Sequence, residues 1–176
     1  MKNTKTLFLI VFISNLLLSN QLFSQNTIDA VNIQTVINLT KFIKYSNNSK
    51  KNSKKKILYI ITDENTPINF EIQTRLKFNY KDWLVICSET INNIPKGSVI
   101  FLMTKKNDKI KKVIKISQLK ELLTISNNID GFCLIGGMIN IKKLDNNVKF
   151  EINYKKVRKN NMQISSKLLA LAKIYD

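Results

Sequence analysis

The chain has 176 residues with no histidine, two cysteines, four glycines and two prolines, and its 29 basic residues against 12 acidic ones give a formal charge of +17. That census removes serine–histidine and cysteine–histidine catalysis, histidine-bearing zinc sites and four-thiolate zinc or iron–sulfur centres. With Gly97, Gly131, Gly136 and Gly137 as the only glycines, neither the dinucleotide fingerprint nor the P-loop can be written anywhere.

Lys2 and Lys5 precede an apolar run from Leu7 to Leu18, and a polar stretch then ends in Leu22-Phe23-Ser24. The run is too short for a membrane span, and a small residue at Ser24 suits the position before a cleavage point, so residues 1–24 are expected to be an export signal. Asn15 and Asn20 interrupt the face that an uncleaved anchor would show to lipid. Residues 25–176 then form one domain with a core of its own, placed in the periplasm.

From Ile28 to Tyr45 the residues Ile28, Val31, Val36, Leu39, Phe42 and Ile43 fall within about 140° of a helical wheel, which predicts an amphipathic helix. Ser46 to Lys56 is lysine-rich without an apolar period and reads as a solvated loop. Ile57 to Thr62 is a continuous apolar run of strand length, followed by Asp63-Glu64-Asn65 and a helix opened by Pro67 and continued by Phe70, Ile72 and Leu76. Two more strands follow at Trp83–Cys87 and Val99–Met103, the second after a Pro95-Lys96-Gly97 turn. Ile110, Val113 and Ile114 put one helix face inside the lysine-rich stretch 105–115, and Leu122–Ser126 is a further strand.

Beyond Gly131 the pattern alternates. Met138, Asn140 and Lys142 stand against Ile139 and Ile141, and Val148, Phe150 and Ile152 against Lys149, Glu151 and Asn153, with Asp145-Asn146-Asn147 between them. This predicts an antiparallel hairpin with one wet face. A short helix from Tyr154, capped by Asn153, and a last helix from Ser166 to Ile174, capped by Ser165, close the chain. The order predicts an α/β fold: a mostly parallel sheet flanked by helices on both faces, with a C-terminal antiparallel hairpin.

The charge has two readings. A basic surface favours anionic headgroups, envelope polymers or nucleic acid. Against this, lysines number 27 and arginines two, and asparagine and isoleucine are abundant too, as codon bias alone would produce. Arginine performs most bidentate phosphate and base recognition, so no nucleic-acid partner is expected. Cys87 and Cys133 also stay open between two states. In an oxidising compartment they could form a disulfide closing some 46 residues, worth about 2–4 kcal/mol, provided their strands are neighbours; otherwise they are buried thiols.

The segments LLTISNNIDGFCLIGGMINI, VKFEIN and ISSKLLALA resemble the YfiR family of exported α/β proteins, and the helix from Ile28 resembles its opening segment. The resemblance implies a dimerising periplasmic regulator without catalytic machinery, cofactor or metal. Its partner would be the periplasmic domain of a membrane diguanylate cyclase or histidine kinase, held inactive until released by envelope or redox stress. The candidate partner-contact or motif residues are Phe132, Gly136, Gly137, Met138, Phe150, Glu151, Ile152 and Asn153. Gly136 and Gly137 either make a tight turn or let a partner backbone approach. Glu151 is either a partner contact or a solvated carboxylate. Asp63 with Glu64 follows the first strand, where open α/β sheets bind ligands, although capping of the next helix explains them equally.

Overall fold

The computed structural model describes residues 34–45, 56–63, 82–144 and 147–176. The chain divides into two units, 1–35 and 36–176, and of the first only residues 34 and 35 are described. The export signal, the start of the first helix, the lysine-rich loop, Glu64 and the helix expected from Pro67 lie outside the described residues.

Helix α1 (34–40) leads into strand β1 (Ile43–Tyr45), followed by β2 (Lys56–Ile61), β3 (Trp83–Ser88) and β4 (Val99–Leu102). Helix α2 (Asn107–Lys120) connects β4 to β5 (Leu123–Asn127), and the hairpin is β6 (Ile139–Leu144) with β7 (Asn147–Asn153). The chain ends in α3 (Tyr154–Lys159), β8 (Met162–Ile164), α4 (Ser166–Leu169) and β9 (Ala172–Tyr175).

Seven strands form one sheet in the order β3-β2-β4-β5-β6-β7-β9. All pairs are parallel except the β6–β7 hairpin, as expected. The central strands carry apolar residues on both faces because both faces are covered: β4 is buried at every position. Ile60, Phe101, Ile125, Ile139 and Ile152 stand side by side across five strands, all fully buried. On the opposite face α2 inserts Ile110, Val113 and Ile114, spaced for one helical side, against Ile61, Ile100, Leu102 and Phe132. The helix ends where Glu121 takes a left-handed conformation, its N–H returning to the Ser117 carbonyl.

Three expectations are corrected. The opening helix does not reach Tyr45: Phe42 N–H bonds to Leu39 O at 3.0 Å, and β1 then pairs antiparallel with β8 in a second, two-stranded sheet. The helix expected over Ser166–Ile174 stops at Leu169, with Ser165 capping it as expected, and the chain becomes β9 alongside β7. Leu171, beyond the end of that helix, is 70% exposed. Four residues make too short a helix to hold its own against a sheet edge with unmade backbone hydrogen bonds. The third correction concerns the hairpin, whose polar side is wet at Lys149 but not throughout: Asn140 is fully buried.

Candidate functional site

Asn140 is buried because the β5–β6 connection folds over it. Its Oδ1 accepts from Ser126 Oγ at 2.7 Å and from the Ile129 N–H at 3.1 Å, and its Nδ2 donates to Ile129 O and to Glu151 Oε2, both at 2.8 Å. Ser126, Asn140, Glu151 and Lys173 are register partners on four successive strands, so the polar face of the hairpin becomes one row across the sheet. Tyr175 Oη closes the row onto the other Glu151 oxygen at 3.2 Å. A buried network of this kind is stabilising only when each group is paired, and all buried side-chain polar atoms among the described residues have partners.

The connection itself is a compact turn. Asn128 and Gly131 take positive φ, and Leu134 and Ile135 N–H groups both return to the Gly131 carbonyl. Gly136 needs its φ of +103°, a value that side chains rarely tolerate, and it rests against Ile114 of α2. Gly137 is required for another reason: a Cβ there would lie 2.2 Å from the buried Phe132 ring. Asn153 ties the turn to β7, donating from Nδ2 to Cys133 O at 2.8 Å while its Oδ1 caps α3 by accepting from the Lys156 N–H. Held at Phe132, Asn140 and Asn153, the turn displays Leu134 and Ile135, at 71% and 54% exposure.

The thiols lie apart. Cys87, Ile60, Phe101 and Ile125 form one row, so β3 and β5 are separated by three interstrand steps, roughly 14 Å. Cysteines joined by a disulfide have Cα atoms within about 7 Å. The neighbouring-strand condition for a Cys87–Cys133 bond is not met, and no disulfide joins them. Burial, reinforced by the Glu151 charge, pushes the Cys133 thiol up to about 12, which makes it a poor nucleophile.

Asp63 sits at the C-terminal end of β2, next to the point where the strand order turns from β2 to β4. The Thr104 hydroxyl donates to its carboxylate at 2.5 Å, and Lys109 Nζ stands 3.6 Å away while donating to Thr62 O at 2.7 Å. The Thr104 hydrogen bond, helped by the Lys105 backbone and the Lys109 charge, holds the Asp63 carboxyl below its usual range. This cluster fastens β2 to the start of α2. Among the described residues no group of three metal-ligating side chains gathers, and no helix is long and apolar enough to cross a membrane.

Of the residues singled out in the sequence, Phe132, Gly137, Met138 and Ile152 are buried, and Gly136, Phe150, Glu151 and Asn153 are half-buried around the same turn and hairpin. The turn and the β6–β7–β9 end of the sheet bring all of them together. What sequence reasoning missed is the surface they support: Leu134 and Ile135 on the turn, and β9 at the sheet edge with Leu171 and half-exposed Ile174. The pair of bulky apolar residues directly before Gly136-Gly137 was a usable signal, since a glycine-rich turn seldom has room to bury both. The strand at 172–175 had no comparable local mark.

Residues 29–173, more than four-fifths of the chain, match the model of the family described as YfiR/HmsC-like. No curated protein matches the chain significantly.

Proposed function

The chain belongs to the YfiR/HmsC-like family, and on that premise we propose that it is an exported regulator that binds and restrains the extracytoplasmic sensor domain of a membrane diguanylate cyclase or histidine kinase. The family supports a periplasmic regulator acting in cyclic-di-GMP signalling rather than an enzyme. Residues 1–24 serve as the export signal, residues 25–176 as the regulatory domain, and a homodimer is the assembly the family resemblance implies.

The observation that supports a protein-contact role is β9. Among the described residues it is the last strand of the sheet, bonded to β7, and Leu171 just before it and Ile174 on it are exposed at 70% and 39%. An edge strand bordered by apolar side chains accepts a partner through backbone hydrogen bonds and hydrophobic burial together. The Glu151–Tyr175 hydrogen bond fixes that edge to the buried polar row. Binding of this kind restrains an enzyme by preferring one of its conformations, since a ligand shifts an equilibrium only through differential affinity. Switching through a Cys87–Cys133 bond is no part of this reading, given the separation of their strands.

The test is genetic and quantitative. Deleting the gene in the source organism is expected to raise cellular cyclic-di-GMP or the output of the partner kinase, and the wild-type gene to restore it. The variant Leu171→Asp with Ile174→Ser, secreted at the same level, is expected to fail. A deletion that alters neither output would remove the regulator reading, and full rescue by the double variant would move the contact away from β9.

A further inference from the structure

Residues 105–120 hold seven lysines in sixteen positions, against 27 in the 176 of the whole chain, and Asp108 is the one acid among them. Codon bias raises lysine everywhere and does not explain a roughly threefold local excess. Two of the seven reach backbone carbonyls: Lys109 Nζ donates to Thr62 O, and Lys120 Nζ to Ile94 O. The other five, Lys105, Lys106, Lys111, Lys112 and Lys115, are exposed. Because α2 turns Ile110, Val113 and Ile114 into the core, Lys111, Lys112 and Lys115 form its outward side.

Apolar side chains border this cationic face. Leu119, near the end of α2, is 78% exposed. The turn after β5 lies against the same helix, since a Cβ at Gly136 would meet Ile114 Cγ2 at 3.3 Å. Asp130, at the start of the turn, is held below the usual carboxylate range chiefly by Lys142, and Lys105 contributes. Leu134 and Ile135 therefore project beside the lysine-bearing helix.

We propose that α2 and the adjoining turn form a docking surface for an anionic phospholipid bilayer, with Lys105, Lys111, Lys112 and Lys115 on the headgroups and Leu119, Leu134 and Ile135 entering the headgroup–acyl boundary. Binding at a bilayer surface strengthens with buried apolar area and with attraction of basic residues to anionic lipid, and this face offers both. A polysaccharide or nucleic acid would use the charge but has no acyl layer for the apolar residues, and residues 105–136 contain no arginine for phosphate recognition. The inference goes beyond the regulator reading and does not rest on it, since lipid binding needs no protein partner and uses α2 rather than β9.

The experiment is co-sedimentation of the exported protein, purified from its own cells, with vesicles of phosphatidylcholine alone or mixed with phosphatidylglycerol. Binding is expected only with phosphatidylglycerol present. Each lysine at an anionic surface contributes about a fivefold factor, so Lys111→Gln, Lys112→Gln and Lys115→Gln together should weaken binding roughly a hundredfold. Leu134→Ser with Ile135→Ser should abolish the part of binding that survives high salt. Lys149→Gln, Lys155→Gln and Lys159→Gln remove the same charge from exposed positions on β7 and α3, and should change affinity less than about threefold. Circular dichroism checks that each variant is folded. Equal losses in the two lysine triples would overturn the proposal, as would a lack of binding to phosphatidylglycerol vesicles, whether or not lipopolysaccharide or an acidic protein is bound.

Discussion

The ring of Phe132 occupies the space that a side chain on residue 137 would need: an ideal Cβ there falls 2.2 Å from Phe132 Cε1 and 2.3 Å from Cδ1. Phe132 is fully buried against α2 and the sheet, so it cannot swing away. This contact sets how closely the turn packs on the sheet, and with it the position of Leu134 and Ile135.

Gly137→Ala is accordingly expected to destabilise the fold by about 3 kcal/mol, the upper part of the range for overpacking a core. Phe132→Leu alone should cost about 1–2 kcal/mol, and the double variant should be more stable than the sum of the two predicts, because the smaller side chain frees the clash. Urea unfolding of the four proteins measures the coupling. Additive losses would show that the contact does not decide the turn.

Asn140 makes four hydrogen bonds from a fully buried position. Asn140→Ala leaves the Ile129 N–H and C=O, Ser126 Oγ and a Glu151 oxygen short of a partner, and should cost about 3 kcal/mol. Asn140→Asp keeps the shape but places a carboxyl beside Glu151. Burial and the like charge raise the pKa of the introduced group in the folded state, so its penalty is small at low pH and grows as the pH rises through the carboxylate range. Thermal unfolding of this variant between about pH 4 and pH 8 checks the sign.

Asp63 shows the opposite linkage. Its folded pKa is depressed, so its contribution is present above the unfolded value of about 3.9 and is lost as the pH falls through the lower folded value. Thr104→Val removes the leading cause and should cost about 1–2 kcal/mol at neutral pH. The share owed to Asp63 should vanish in acid. A remainder persists, because Thr104 Oγ1 also accepts from the Lys106 N–H at 3.1 Å. Denaturant titrations of wild type and variant at pH 7 and near pH 3 measure the closing gap.

Cys133 is buried with its thiol pushed up to about 12, first by desolvation and then by the Glu151 charge. In the native protein at pH 8 it should resist iodoacetamide for as long as the fold persists, and react promptly in denaturant. Mass spectrometry of labelled peptides reads both states. Fast native labelling at Cys133 would show that the turn opens readily.

Much of the fold was legible in the sequence because its signals are local. The apolar runs at Ile57–Thr62, Trp83–Cys87, Val99–Met103 and Leu122–Ser126 appear as β2, β3, β4 and β5 within a residue or two. Alternation around Asp145 located the hairpin, and Asn153 and Ser165 are the caps their positions implied. The segments that misled are those where a distant strand decides. Residues 43–45 and 172–175 each carry helical periodicity, yet one pairs with β8 and the other with β7. In the same way Asn140 reads as a polar residue on a wet face until Ile129 is folded over it.

Sequence alone therefore determined the α/β class, the family motif and the absence of histidine, since composition and short-range period are properties of neighbouring residues. Only the tertiary structure decided which surface those motifs support. Phe132 and Asn140 are buried, Leu134, Ile135 and Leu171 are exposed, and Cys87 is kept from Cys133 by the order of the strands. Each of these is set by what packs from elsewhere in the chain, and contacts between residues far apart in sequence leave no mark on the local pattern.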